Sequence, residues 1–191
     1  MGRRGRRRLR HLGSDRAGGR RLGPSGRASV RVVSGRVIAP DSWRAQPWKN
    51  GAGITHEIWR APEHGDYDVR VSVAEVTQTG GFSQFPGYRR WSFLVGTAPI
   101  ELAHRQVVHL VAAGDHIELP GEIALVANLP AGPTHLLNVL ARVPVTAGYG
   151  PTDHPVRFVL SLVPSAQLAR WAAAVLDPRA AYDTTECVWV A

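Results

Sequence analysis

From Val30 onward the chain is written in short apolar runs, separated by Gly, Pro, Asn and Asp at intervals of about ten residues, the texture of β-sandwiches and barrels. The runs predict strands over 30–38, 55–60, 68–76, 91–96, 100–103, 106–111, 115–119, 123–127, 134–142, 156–163 and 184–190. Turn signals fall between most of them, among them Pro86-Gly87, Gly114-Asp115 and Pro120-Gly121. One stretch departs from this rhythm. In 165–176 the apolar residues Leu168, Trp171, Val175 and Leu176 recur at helical spacing, with Pro164 before them and Asp177-Pro178 after, which predicts a short amphipathic helix.

Alternation is clearest in 68–74, where Asp68, Arg70, Ser72 and Ala74 fall on one face and Val69, Val71 and Val73 on the other. In a half-exposed sheet the polar face would simply meet solvent. In one wall of a closed barrel it looks inward, and Arg70 becomes a buried forked donor for a carboxylate. The following segment, 80–91, sets Phe82, Phe85, Tyr88 and Trp91 around Ser83, Arg89 and Arg90, a density of rings suited to a lid over a barrel end or over a ligand.

The net charge of +8 invites a nucleic-acid reading until it is located. Residues 1–36 hold 12 of the 23 cationic residues and one of the 15 acidic ones, which leaves 11 cations against 14 carboxylates for the rest. The basicity is therefore a property of the first segment. Its mixture of Arg, Gly and Ser offers too little apolar surface to offset ordering entropy, so 1–29 is expected to be a disordered extension. No aromatic is interleaved there to stack on bases, which counts against nucleic acid as a partner. No apolar run reaches 18 residues, no secretory apolar stretch follows Arg3-Arg4, and Cys187 stands alone. Together these point to a cytoplasmic protein with no membrane partner.

Lys49 is the chain's one lysine, placed in the rigid stretch Pro47-Trp48-Lys49-Asn50-Gly51-Ala52-Gly53. A compact ammonium among so many guanidinium groups marks it as a site candidate, although Asn50-Gly51 is also a tight-turn dipeptide. Known catalytic patterns are absent: there is no Gly-x-Ser-x-Gly elbow, and the glycines after Lys49 have the wrong order for a phosphate loop. The histidines lack ligand spacing; His135 is the least implausible metal ligand and has no partner in sequence. Neither metal nor cofactor is expected.

Four segments taken together, Pro-Trp-Lys-Asn-Gly-Ala-Gly-x-Thr-x-Glu (47–57), Arg-Val-Ser-Val-Ala-Glu-Val (70–76), the Phe-Ser-x-Phe-Pro-Gly-x-x-Arg stretch ending at Arg90, and Gly-Pro-Thr-x-x-x-Asn-Val (132–139), resemble the HutD/Ves family. The likeness runs from about Val37 to Arg142 and fades toward Val190. The resemblance implies an all-β, cupin-type fold in a bicupin arrangement, with a first half over 30–143 holding the pocket and a shorter second half over 144–191. It also implies a role in histidine utilisation. Carried over motif by motif, the ligand-binding candidates are Lys49, Asn50, Thr55, Glu57, Arg70, Ser72, Ser83, Arg90, Thr134 and Asn138. Ala52 stands where a second glycine is usual, His56 where arginine is frequent, and Val69 where an aromatic is common.

The functional expectation is a metal-independent binder of a small anionic metabolite, urocanate-like, in a regulatory or governor role. Arg70 would fork onto the carboxylate, Lys49 would add a second positive contact, and Glu57 would hold one of these cations in place. Two other classes stay open: a metal-free isomerase or lyase using Lys49 or Glu57 on a similar acid, and a nucleic-acid-associated regulator acting through the arginine-rich arm. A homodimer is compatible with either of the small-molecule readings.

Overall fold

The computed structural model describes residues 35–48, 51–165, 167–178, 180 and 182–191. The expectations for the 1–29 extension, Lys49 and Asn50 lie outside the described residues. Among the described residues fifteen strands, numbered in chain order, form three antiparallel sheets. The largest has six strands in the order β2 (Arg44–Pro47), β3 (Gly53–Ala61), β4 (Val69–Val76), β11 (Thr134–Ala141), β6 (Arg89–Leu94) and β9 (His116–Pro120). A four-stranded sheet runs β5 (Gly80–Gly81), β10 (Val126–Asn128), β7 (Ile100–Ala103) and β8 (Val107–Leu110). The third runs β1 (Gly35–Ile38), β14 (Ala173–Leu176), β13 (Phe158–Ser161), β15 (Cys187–Val190) and β12 (Ala147–Tyr149). Among the described residues these sheets, with one short 3-10 turn at Pro40–Ser42 and no α-helix, make an all-β fold.

The six-stranded sheet is shared between two cores. Val71 and Val73 of β4, Phe93 of β6 and Val139 of β11 point to one side, where they meet Phe158, Leu160, Val188 and Val190 of the third sheet. Ala74, Leu94 and Leu136, of opposite parity on the same strands, meet Ile100, Leu102 and Ala127 of the four-stranded sheet. Covering both faces explains why β4 and β11 bury apolar side chains on each side of the sheet, since each buried Val or Leu side chain contributes roughly 1.5–3 kcal/mol. The alternation expected for 68–74 is present along β4: Ala74 packs toward the four-stranded sheet, while Arg70 and Ser72 on the same face lie beyond the end of that packing. β1 belongs to the same sheet as the strands of 144–191, so the chain crosses between the two sets of strands near its described start.

The helix expected over 165–176 is not formed. Ala173–Leu176 is strand β14, paired on both sides with β1 and β13. Ser165 opens a local turn in which its Oγ accepts from the backbone N–H groups of Gln167 and Leu168, as at the start of a helix. The turn does not propagate: Trp171 sits at φ 65, in the left-handed region, and its N–H donates to the Ser161 carbonyl. An alanine-rich strand buried on both faces shows no period of two, which is why its pattern passed for a helix. The sequence pattern also left out β2, β5 and β12, each four residues or fewer.

Candidate functional site

Two rows of side chains run across the inner face of the six-stranded sheet. In the first, Glu57 of β3 lies opposite Ser72 of β4, Ser72 opposite Asn138 of β11, and Asn138 opposite Ser92 of β6. In the next, Leu140 of β11 lies between Arg70 and Arg90. At neighbouring-strand spacing this puts the two arginine backbones roughly 10 Å apart. Above these rows is a cavity of about 650 Å³, lined by Thr55, Arg70, Ser72, Ala74, Asn138, Leu140 and Arg90 from the sheet. Gln46, Pro47 and Trp48 close it from the edge, and Gly81, Phe82, Ser83 and Phe85 cover it.

The cover is fixed by close backbone approaches. The Phe85 N–H donates to the Gly121 carbonyl, the Gly121 N–H donates to the Tyr88 carbonyl, and a Cβ at Gly121 would stand 2.4 Å from the Phe85 carbonyl oxygen. Across the mouth, the Trp48 and Phe82 rings meet edge to face at 5.3 Å, and Trp48 Nε1 donates to Thr55 Oγ1 at 2.8 Å. Gly53 permits this seat for Trp48: a Cβ there would come within 2.3 Å of the Glu75 carbonyl oxygen and 3.3 Å of the indole.

The two arginines differ in what surrounds them. Arg70 Nε donates to Glu57 Oε2 at 2.8 Å, within a pair whose side chains are 11% and 6% exposed, and Gln46 Oε1 lies 3.4 Å from Arg70 Nη2. Arg90 is 4% exposed, and Nη2 donates to the Ser83 carbonyl at 3.0 Å, while Nε and Nη1 are sealed from water without a hydrogen-bond partner. Its guanidinium stands 5.0 Å from the centre of the Phe85 ring and 5.8 Å from that of Phe82, contacts that soften the cost of the charge without removing it. Burial pushes the Arg90 guanidinium down to about 10, so it is still charged at neutral pH. Beside the mouth, burial raises the Tyr67 phenol above its ordinary range against the pull of Arg70, which leaves a neutral ring there.

In the polar row, Ser92 Oγ donates to Asn138 Oδ1 at 2.6 Å, which engages the amide oxygen and leaves the amide N–H groups as donors. Of the residues singled out by sequence, Thr55, Arg70, Ser72, Ser83, Arg90 and Asn138 line this one cavity. Glu57 sits behind Arg70 rather than in the lining. Ser83 is exposed and meets Arg90 through its carbonyl, not its hydroxyl. Thr134 lies outside this lining, at the other end of β11, and its hydroxyl donates to the Ala98 carbonyl at 2.6 Å. His135 packs on Trp171 with ring centres 5.6 Å apart. Among the described residues no group of three or more His, Cys, Asp or Glu is placed to hold a metal ion. The sequence reading missed Gln46, Trp48, Phe82 and Leu140 as lining residues, although the density of aromatics in 80–91 had marked a cover.

A cupin-type β fold with a cationic cavity at one end of its paired sheets defines the class of this protein. The HutD family model matches residues 41–162, and the chain belongs to the HutD family, which is associated with histidine utilisation. An uncharacterised 21.2 kDa protein from the hutC 3′ region of Pseudomonas putida is 39% identical over 57 residues, 29% of this chain and 30% of that relative, so the match spans about a third of the relative's length. Among solved structures, HutD from Pseudomonas fluorescens SBW25 superposes with a TM-score of 0.69 at 22% identity, covering 81% of this chain and 96% of that one. A conserved protein of unknown function from Pseudomonas aeruginosa PAO1 gives 0.65 at 22% identity, over 81% and 95% of the two chains. No helix among the described residues is long and apolar enough to cross a membrane.

Proposed function

We propose that the cavity binds a small anionic metabolite through its carboxylate, with Arg90 as the principal charge partner and Arg70 as the second. One observation carries this reading: Arg90 is a nearly fully buried cation at the cavity wall with two nitrogens lacking any partner. A buried charge without a counter-charge is costly, and a ligand carboxylate offsets that cost. Arg70 is already compensated by Glu57, so it contributes its remaining donors rather than the main charge. The Phe82 and Phe85 rings stand 5.8 and 5.0 Å from the Arg90 guanidinium, so a ligand reaches Nε and Nη1 by turning these side chains aside while the backbone of the cover stays in place.

The rest of the lining suits a flat, partly apolar acid. Phe82, Phe85 and Trp48 supply ring faces, Ala74 and Leu140 an apolar floor, and Asn138, Ser72, Thr55 and Gln46 hydrogen bonds at fixed positions. Urocanate, an imidazole ring joined to a carboxylate by a planar arm, has this division of surfaces and belongs to histidine degradation. The protein then works as a metal-independent cytoplasmic governor or sensor of such intermediates, with β1 and β12–β15 as the shortened second unit of a bicupin.

Calorimetric titration of urocanate into wild-type protein, Arg90→Gln and Arg70→Ala tests the reading. A charged hydrogen bond contributes about 1.5–3 kcal/mol, so Arg90→Gln raises Kd by about 10- to 100-fold. Affinity in the wild type stays level from neutral pH to about 9 and declines as the pH passes about 10, where Arg90 loses its proton. Unchanged binding by Arg90→Gln would overturn the assignment, and conversion of urocanate followed by NMR would replace a binder with an enzyme.

A further inference from the structure

On the opposite side of Glu57 from Arg70 there is a second hollow, of about 210 Å³, that the first site does not use. It forms where β2 stops: β2 accompanies β3 only from Ile54 to Glu57, and β3 runs on to Ala61 with no strand on that edge. Arg36 of β1, Arg44 of β2 and Arg60 of β3 line it, on an apolar base made by Ile38 and Ile58, each 8% exposed. Arg44 and Arg60 belong to residues 37–191, which carry 11 cationic against 14 acidic side chains, and Arg36 brings a third guanidinium from the last position of the basic first segment.

The compensation is incomplete. Arg60 donates through Nη2 to the Gly65 carbonyl and lies 5.0 Å from the centre of the Tyr67 ring, but its Nε is shut off from water with no partner. Arg44 reaches Glu57 Oε1 only at 3.8 Å, and the Glu57 charge is held mainly by Arg70 at 2.8 Å. No described residue pairs with Arg36. Glu63, at the exposed rim, is the one other carboxylate of the lining.

We infer that this hollow is a second anion site, built for a phosphate-sized tetrahedral oxyanion. A planar carboxylate is satisfied by one guanidinium fork, whereas guanidinium groups from three separate strands match an anion with oxygens in several directions. The apolar base strengthens each contact by lowering the local dielectric.

Inorganic phosphate is the probe, titrated at fixed ionic strength into the full chain while the heat of binding is followed together with total tryptophan emission, to which Trp59 in the hollow contributes as one of six. Wild-type protein is expected to saturate with one phosphate at this site. Arg36→Gln/Arg44→Gln, which alters two exposed side chains, is expected to raise the phosphate Kd at least about tenfold while melting as the wild type does. Arg90→Gln separates the two cavities and is expected to leave the phosphate Kd within about twofold. Absence of saturable binding, unchanged binding by the double variant, or loss of binding on Arg90→Gln would each overturn the inference. Because urocanate binding by the double variant is measured alongside, failure of this site and failure of the first are told apart.

Discussion

The two ends of one sheet face have opposite characters. At one end Leu136 and Leu94 lie side by side on β11 and β6, sealed against the four-stranded sheet, with Ala74 of β4 beside them where the core meets the cavity. Two residues further along the same strands the row is Ser72, Asn138 and Ser92, and two further still it is Arg70, Leu140 and Arg90. Strand parity and register are common to both ends, so the backbone does not distinguish them. What differs is the element opposite. Where a sheet lies opposite, a polar side chain would lose water and find no partner. Where the 81–88 loop arches over a hollow, it keeps room for a partner or a ligand. Function here is written on a core face at the point where the second layer stops.

The contrast can be broken from either end, and the largest effect is expected from Arg70→Ala. That change leaves the Glu57 carboxylate buried beside only the distant, exposed Arg44, and should lower stability by about 3–5 kcal/mol in denaturant unfolding. Replacing both partners, as Glu57→Leu/Arg70→Leu, should recover most of the loss. A single-variant cost below about 1 kcal/mol would show that the cavity end tolerates an unpaired charge and is wetter than its geometry implies. Next comes Leu94→Ala at the sealed end, which should cost about 2–5 kcal/mol in the same assay, because the fully buried site cannot collapse around the lost atoms. The smallest change is Ser92→Ala, which removes the donor to Asn138 and should cost about 1 kcal/mol. If Ser92→Ala were as damaging as Leu94→Ala, the polar row would be a rigid part of the core and not a surface poised for a ligand.

Much of this was legible in the residues themselves. The parity of 68–74 put Arg70 and Ser72 together on one face, and the rings of 80–91 marked a cover. Which strands stand next to each other was not legible. Arg70 and Arg90 share a row because β11, sequence-distant from both, inserts between β4 and β6. The pairing of Arg70 with Glu57 depends on the register of the β3–β4 hairpin, which carries a bulge at Ile58 just beyond Glu57. The helix expected near 165–176 failed for a related reason: local spacing cannot register that β1 and β13 flank the segment and hydrogen-bond its backbone on both sides.

The sequence by itself determined an all-β chain, the common face of Arg70 and Ser72, the family, and the location of the basic charge in the first 36 residues. These follow from interactions between near neighbours, where period and composition speak directly. Only the tertiary structure decided that Arg90 and not Arg70 is the uncompensated cation, that Thr134 lies outside the cavity lining, and that Arg36, Arg44 and Arg60 meet at the open edge of β3. Charge compensation and burial depend on which distant segments pack together, and a linear pattern does not carry that information.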